Sequence, residues 1–535
     1  MKTMISSIIL ASCLALPLAS CSDSDAAPEQ KDWSTTTYFY SADAAMQDTY
    51  YKPTVGYVGD PMPFFDPVAG DFKVLYLQDF RPNPEGTYHP IWGVSTKDAA
   101  HYTSLGELVS CGTKKSQDAA IGTGSTIYDE SSKLYYTFYT GNKYLPTGDE
   151  SAQAVMVATS SDFKTWTKDR TFLLKGQDFG YDKNDFRDPF VFKGDDGKFH
   201  MLVSTKKGGK GSLAEFVSDD LKNWTDNGVF MTMMWDRFYE CPDLFKMGDY
   251  WYLVYSEIHH AIRRVQYFKG RTLDELKACT ANDAGRWPDA HEGFLDSRGL
   301  YAGKTASDGT NRYLWGWCPT RSGKDNTAVG ASPAEPEWGG NLVCYKLIQH
   351  EDGTLTLGQI DAVSEKYNQD VAVEVKESQN MTEADGTYTL AGSVEQPDAY
   401  MLMGRLGSHN KISFTVTTSN EWDKFGISMV RGSDSKKYYT MVVNPEDENN
   451  RKVNFEEQGV EGKGFIAGID GYVFARPADN VYNVTIYTDN SICVMYINDV
   501  CSYTNRIYGI QKNCWSINSY NGANVKISNL QISQY

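Results

Sequence analysis

Three acidic residues sit in similar local settings along this chain: Gly59-Asp60-Pro61, Arg187-Asp188-Pro189 and Glu240-Cys241-Pro242. Each tripeptide alone is turn chemistry, since Asp bonds its own backbone and Pro fixes φ. Together they supply what one particular reaction needs. Cleavage of a glycosidic bond uses one carboxyl that stays protonated to deliver H⁺ to the leaving oxygen. It also uses one ionised carboxylate that attacks the anomeric carbon or activates water. Arg187, adjacent to Asp188, is placed to hold that carboxylate ionised. No Cys/His cluster has zinc spacing and no loop has the closely spaced Asp/Asn of a calcium site, so neither a metal nor a cofactor is indicated.

The acids need elements that bring them together, and a recurrence provides them. A polar or acidic residue opens a short apolar strand, a Gly/Asp turn follows, and then a strand dense in aromatics. The five instances begin at Gly59, Gly124, Arg187, Glu240 and Leu300, and their second strands include Val74-Leu-Tyr-Leu77, Leu134-Tyr-Tyr-Thr-Phe-Tyr139 and Tyr250-Trp-Tyr-Leu-Val-Tyr255. Further short strands joined by hairpin turns follow in several units, with almost no helical periodicity. Five such antiparallel units make a five-bladed β-propeller, and the unit length fits a blade better than a solenoid coil. Residues that start the innermost strand of each blade then converge on one mouth of the channel. Those residues are Asp60, Ser125, Asp188, Glu240 and Tyr301. From about Asp361 the pattern becomes alternating, as in Lys411-Ile-Ser-Phe-Thr-Val416, which predicts a C-terminal β-sandwich.

Composition sets the outer bounds. The 535 residues carry a net charge of -18 and are 41% hydrophobic and 13% aromatic, with 35 Tyr. That content supports a packed all-β fold. The negative balance argues against a nucleic-acid or anionic-membrane partner. Lys2 and the apolar run Met4 to Leu18 read as an export signal, too short for a permanent membrane span. The run ends in Leu18-Ala-Ser-Cys21, which resembles a lipobox, so Cys21 is the expected lipidation site and the cell envelope the expected location, periplasmic or cell-surface. The expected divisions are residues 1–20 as signal, 21–50 as tether and lead-in, 51–358 as propeller and 359–535 as sandwich. Of the ten cysteines one lies in the signal and one is Cys21; the other eight are scattered and specify no disulfides.

At the same acids the sequence resembles glycoside hydrolase family 32, the β-fructosidases. Arg187-Asp-Pro189 and Glu240-Cys241 are similar to the family's RDP and EC signatures, and Gly59-Asp60-Pro61 sits where the family carries WMNDPNG. Tyr76-Leu-Gln78, Trp92-Gly93, Gly124-Ser125, Tyr301 and Leu314-Trp-Gly-Trp317 match further motifs, and Thr504-Asn-Arg-Ile-Tyr508 lies in a family-like C-terminal segment. The resemblance implies a retaining enzyme with Asp60 as nucleophile, Glu240 as general acid/base and Asp188 as transition-state stabiliser. It also implies that Gln78, Trp92 and Arg187 line a fructose subsite, with Ser125 and Tyr301 as further substrate-binding positions. Gly59 and Met62-Pro63 depart from the family's Asn residues and Gly, so substrate choice is where this chain should differ. The alternatives are an inverting arabinan- or xylan-type furanosidase on the same propeller, and a non-catalytic glycan-binding lipoprotein. The implied partner is a fructan or oligosaccharide; membrane contact is only through the lipid anchor, and association with glycan-uptake proteins is left open.

Overall fold

The computed structural model describes residues 49–80, 88–233, 238–257, 264–282, 293–321, 336–431, 438–444, 452–458, 472–511 and 513–535. Cys21, the signal and most of the tether lie outside the described residues.

The chain forms a five-bladed β-propeller followed by a β-sandwich. Blade I contains β1 (Tyr57–Asp66), β2 (Asp71–Asp79), β3 (Ile91–Thr96) and β4 (Thr103–Val109). Blade II contains β5 (Ala120–Asp129), β6 (Leu134–Asn142), β7 (Gln153–Ser160) and the short β8 (Thr167–Lys168). Blade III is β9 (Phe186–Lys193), β10 (Phe199–Lys207), β11 (Lys210–Ser218) and β12 (Thr225–Thr232). Blade IV has β13 (Glu240–Met247), β14 (Tyr250–Glu257) and β15 (Arg264–Gly270). Blade V is built from β16 (Tyr301–Ser307), β17 (Arg312–Arg321) and β18 (Pro336–Gln349), with β19 (Leu355–Gly358) on its edge. Each first strand packs against the first strand of the next blade, and β16 packs back against β1, so the inner ring closes. Blade V also hydrogen-bonds to blade I through Val58 opposite Gly340.

Aromatic residues cement the blades. Tyr76, Tyr252, Trp315 and Tyr345 are buried in one cluster that includes strands of blades I, IV and V. The sequence pattern gave no sign of helix α1 (Leu273–Asn282), which packs against β15 and β12 and is held by the buried Leu276. Its apolar stripe is short, and tertiary burial rather than periodicity fixes it.

The repeat has a sharper form than the sequence suggested. In every blade the pairing of first and second strands slips at one place: between Gly59 and Met62, Gly122 and Gly124, Arg187 and Phe190, Glu240 and Asp243, and Tyr301 and Lys304. The first strand carries one residue more than its partner at each slip, which is a β-bulge. Backbone φ is positive at Asp60 (20°), Asp188 (57°), Cys241 (52°) and Ala302 (53°), all within these bulges. Such angles cost on the order of 1 kcal/mol or more for a residue with a Cβ, and they persist where surrounding structure imposes them.

The sandwich stacks an eight-stranded sheet on a seven-stranded one. Strand His409–Thr418 alternates buried and part-exposed residues as its sequence predicts. Strand Ile492–Ile497 does not alternate, because both faces are covered. Cys493, Met495 and Ile497 enter the sandwich core, whereas Ile492, Val494 and Tyr496 pack into the propeller's cluster. Arg506 of the sandwich, itself buried, donates to the carbonyls of Cys318 and Pro319 at 2.9 and 3.1 Å and to the Asn341 side chain at 2.6 Å, all in blade V.

A Cβ at Gly124 would lie 1.8 Å from the Phe138 carbonyl oxygen, a backbone atom of the neighbouring strand. Gly124→Ala is therefore predicted to cost on the order of 3 kcal/mol. At Gly70, whose φ is positive but whose Cβ would meet no neighbour within 4 Å, the same change should cost about 1 kcal/mol. Chemical denaturation of the two variants checks the difference.

Candidate active site

The bulges aim the functional side chains. An extra residue in a strand leaves its backbone out of the ladder and re-aims the side chains beside it. Asp60 projects from the blade I bulge, Asp188 from blade III, Glu240 from blade IV and Tyr301 from blade V. These residues meet at one end of the closed inner ring.

Asp60, half-buried, receives two donors. Thr123 Oγ1 donates to Oδ2 at 2.6 Å and Trp317 Nε1 donates to Oδ1 at 2.9 Å. Burial raises its pKa, the two donors oppose the rise, and the charge of Glu240 adds to it. Glu240 also has both oxygens occupied: Arg187 Nη2 donates to Oε1 at 2.9 Å, and the Tyr301 hydroxyl donates to Oε2 at 2.5 Å. Asp188 is buried and accepts from the Cys241 backbone N–H at 2.9 Å. Burial drives its carboxyl up to about 7; Arg187 pulls the other way, and the charges of Glu240 and Asp60 reinforce the rise. Arg187 is fixed by Asp185 at 2.7 Å as well, and its guanidinium lies 3.8 Å from the Phe238 ring centre. Planar, always-charged Arg suits this forked role better than Lys would. Cys241, buried among the three acids, has its thiol pushed well up by burial and then by their charges. It stays protonated and is no nucleophile.

The structure thus joins Asp60, Asp188, Glu240, Arg187 and Tyr301 in one network. The other expected residues have different contacts. Ser125 lies past the blade II bulge. Its hydroxyl donates to the Pro189 carbonyl and accepts from the Val191 N–H, both at 2.9 Å, which ties blade II to blade III. Both roles of the hydroxyl are taken, and the blade II residue that reaches an acid is Thr123, two positions earlier. Gln78 is buried on β2 opposite Val58, with its amide donating to the Val55 carbonyl at 2.5 Å. Trp92 is on β3 against Phe80. Gln78 Oε1 and Trp92 Nε1 are buried without hydrogen-bond partners among the described residues.

Sequence reasoning also missed Trp338. A Cβ on Gly59 would lie 2.1 Å from its indole ring, so the missing side chain before Asp60 is space that Trp338 fills. Trp338 stacks on His89 with ring centres 4.0 Å apart and lies 6.0 Å from Trp317. The only sequence signal for this was Gly59 itself. The wall beside Asp60 is aromatic where the resembling motif offers an amide.

Residues 50–360 match the glycosyl hydrolases family 32 N-terminal domain, and residues 353–532 match the BT1760-like C-terminal domain of GH32. A beta-fructofuranosidase of Arabidopsis thaliana (insoluble isoenzyme CWINV2) is 26% identical over 310 residues, 52% of this chain and 50% of that protein. Sucrose-6-phosphate hydrolase of Vibrio alginolyticus is 26% identical over 240 residues, covering 42% of this chain and 45% of its own. The chain therefore spans about half the length of the curated relatives it matches. The fold is that of an Aspergillus awamori exo-inulinase, with a TM-score of 0.68, 15% identity and coverage of 91% of this chain and 98% of the other.

An acid with a raised pKa favours folding while it holds its proton. The unfolded Asp188 ionises near its ordinary 3.8 and the folded one near about 7, so stability falls as pH rises between those values and the penalty is complete above them. The interval is about three pH units at about 1.4 kcal/mol each, a ceiling of about 4 kcal/mol. Asp188→Asn is predicted to raise Tm at about pH 8 and to leave it near the wild-type value at about pH 4. Calorimetry at the two pH values checks both arms.

Proposed function

We propose that this chain, which belongs to glycoside hydrolase family 32, is a retaining β-fructosidase that acts on fructans or fructo-oligosaccharides. The observation that carries the reading is the division of labour between the two network acids. Asp60 is oriented by Thr123 and Trp317, and Glu240 by Arg187 and Tyr301. In the first step Asp60 attacks the anomeric carbon and Glu240 delivers a proton to the leaving oxygen, giving a covalent fructosyl ester. In the second step Glu240 takes a proton from water, which cleaves the ester and restores the starting configuration. Asp188 grips the ring hydroxyls, able to accept or to donate because its carboxyl titrates close to neutrality.

Several features favour neutral fructose chains over a phosphorylated sugar. Arg187 is committed to Glu240 and Asp185, and three carboxylates share the site. The Trp338–His89 stack offers an apolar face to a sugar ring where an amide would have offered a hydrogen bond. The names of the curated relatives, fructofuranosidase, sucrose-6-phosphate hydrolase and fructan exohydrolase, agree on a fructosyl unit as the group cleaved.

Incubation with sucrose, inulin, levan and short fructo-oligosaccharides, with methanol as competing acceptor, tests the reading. The expected products are fructose or fructo-oligosaccharides and the β-methyl fructoside, with Asp60→Asn and Glu240→Gln each slowed by about a thousandfold or more. No turnover of these fructosides, with inverting release of arabinose or xylose from arabinan or xylan supplied in parallel, would replace the reading with a furanosidase on the same fold. Binding without turnover would make the chain a glycan-binding protein.

We further propose that Cys21 carries acyl chains that hold the enzyme at the cell envelope. Expressed with its N-terminal segment in a bacterial host, the chain should partition into detergent phase, and Cys21→Ala should move it to the aqueous phase.

A further inference from the structure

We propose that Lys304 is a counter-charge of the acid cluster, a positioning residue whose ammonium reaches across the channel and helps keep Asp60 and Asp188 able to ionise. Lys304 lies on β16 where the blade V bulge ends, three residues after Tyr301, and is 2% exposed. Its Nζ donates to the Gly124 carbonyl at 2.9 Å and lies 5.2 Å from the Phe190 ring centre. Gly124 is on β5 and Phe190 on β9, and neither strand neighbours β16 in the ring, whose neighbours are β1 and β13. The side chain therefore reaches across the channel axis. Its contact at Gly124 is one residue from Thr123, the donor to Asp60.

The charges around it come from every inner strand but one. Asp60 faces it from β1, Asp188 from β9, and Asp243 from β13 beside the neutral thiol of Cys241; β5 supplies the Gly124 carbonyl. Glu240, also on β13, interacts with Asp60 and Asp188 in turn. Among the described residues two other cations lie nearby, and both have further partners. Arg187 is bonded to Glu240 and Asp185, and its charge also bears on Asp188. Arg312 donates to Thr305 at 2.7 Å and interacts with Asp243, with the Phe245 ring centre 4.1 Å from its guanidinium. Lys304 is the one of these three whose charge bears on Asp60 and Asp188 together. Burial lowers its pKa and the surrounding acids hold it up, which is the reciprocal of its effect on them. An uncompensated set of buried carboxylates would instead retain protons, and a protonated Asp60 cannot attack.

The test uses Lys304→Met, which removes charge and hydrogen bond, and Lys304→Gln, which keeps a donor for the Gly124 carbonyl without the charge. Two readouts are followed against pH. One is kcat/KM on the fructan that the wild type cleaves, which rests on the β-fructosidase reading. The other is the tryptophan fluorescence lost on Trp317→Phe, which reports the ionisation of Asp60 whether or not the chain is an enzyme. Both variants are expected to move the acid limb of kcat/KM and the fluorescence midpoint upward by about one pH unit or more, with kcat reduced more than KM is raised. If Lys304→Gln keeps the wild-type limb and midpoint, Lys304 serves only as a hydrogen-bond strut and the proposal fails. It fails equally if the fluorescence midpoint of the folded Met variant is unmoved. Loss of all fructan cleavage by the wild type would overturn the functional reading and leave the fluorescence arm to decide this one.

Discussion

The structure depends on one extra residue in the innermost strand of each blade. A regular strand directs alternate side chains into its two faces and has none to spare for the channel mouth. The bulge breaks that rule five times at the same level of the ring. Asp60, Asp188, Cys241 and Ala302 accept unfavourable backbone angles there, and the ladders above and below hold them in place. What the fold gains is a set of acids whose spacing is set by strand geometry rather than by loops.

Packing like charges at one point raises a second requirement, that of compensation. Burial and mutual repulsion push Asp60 and Asp188 towards the neutral form. The opposing groups come from all around the ring: Thr123 of blade II, Arg187 and the Cys241 N–H of blades III and IV, Trp317 of blade V. The sandwich contributes to the same frame. Arg506 holds the carbonyls of Cys318 and Pro319, next in the chain after the tryptophan that touches Asp60. The second domain is thus mechanically joined to the strand that orients one catalytic acid.

Much of this was legible from residue order. The acids beside Pro and the aromatic second strands recur with a blade's spacing, and the alternation of Lys411–Val416 announces a half-buried sheet. What was not legible required partners distant in sequence. Ser125 was the expected blade II member of the ring by its place in the repeat, yet the bulge at Gly122–Gly124 shifts the register and it is Thr123 that reaches Asp60. Gly59 read as a lost hydrogen-bonding side chain, and only the fold shows Trp338 filling its place. Lys304 in sequence is one lysine among many. Strand Ile492–Ile497 hides its two-sided burial because the second face is covered by another domain.

The central claim is that Asp60, mounted on a bulge, becomes covalently bonded to the substrate. Mass spectrometry of the Glu240→Gln variant, quenched after brief exposure to a fructoside with an activated leaving group, tests this most directly. The account predicts that one anhydrofructose unit is gained and maps to the peptide containing Asp60, and that the gain is absent when Asp60 is also replaced by Asn. An unmodified protein that nevertheless releases the leaving group, or a label on any other residue, would contradict it.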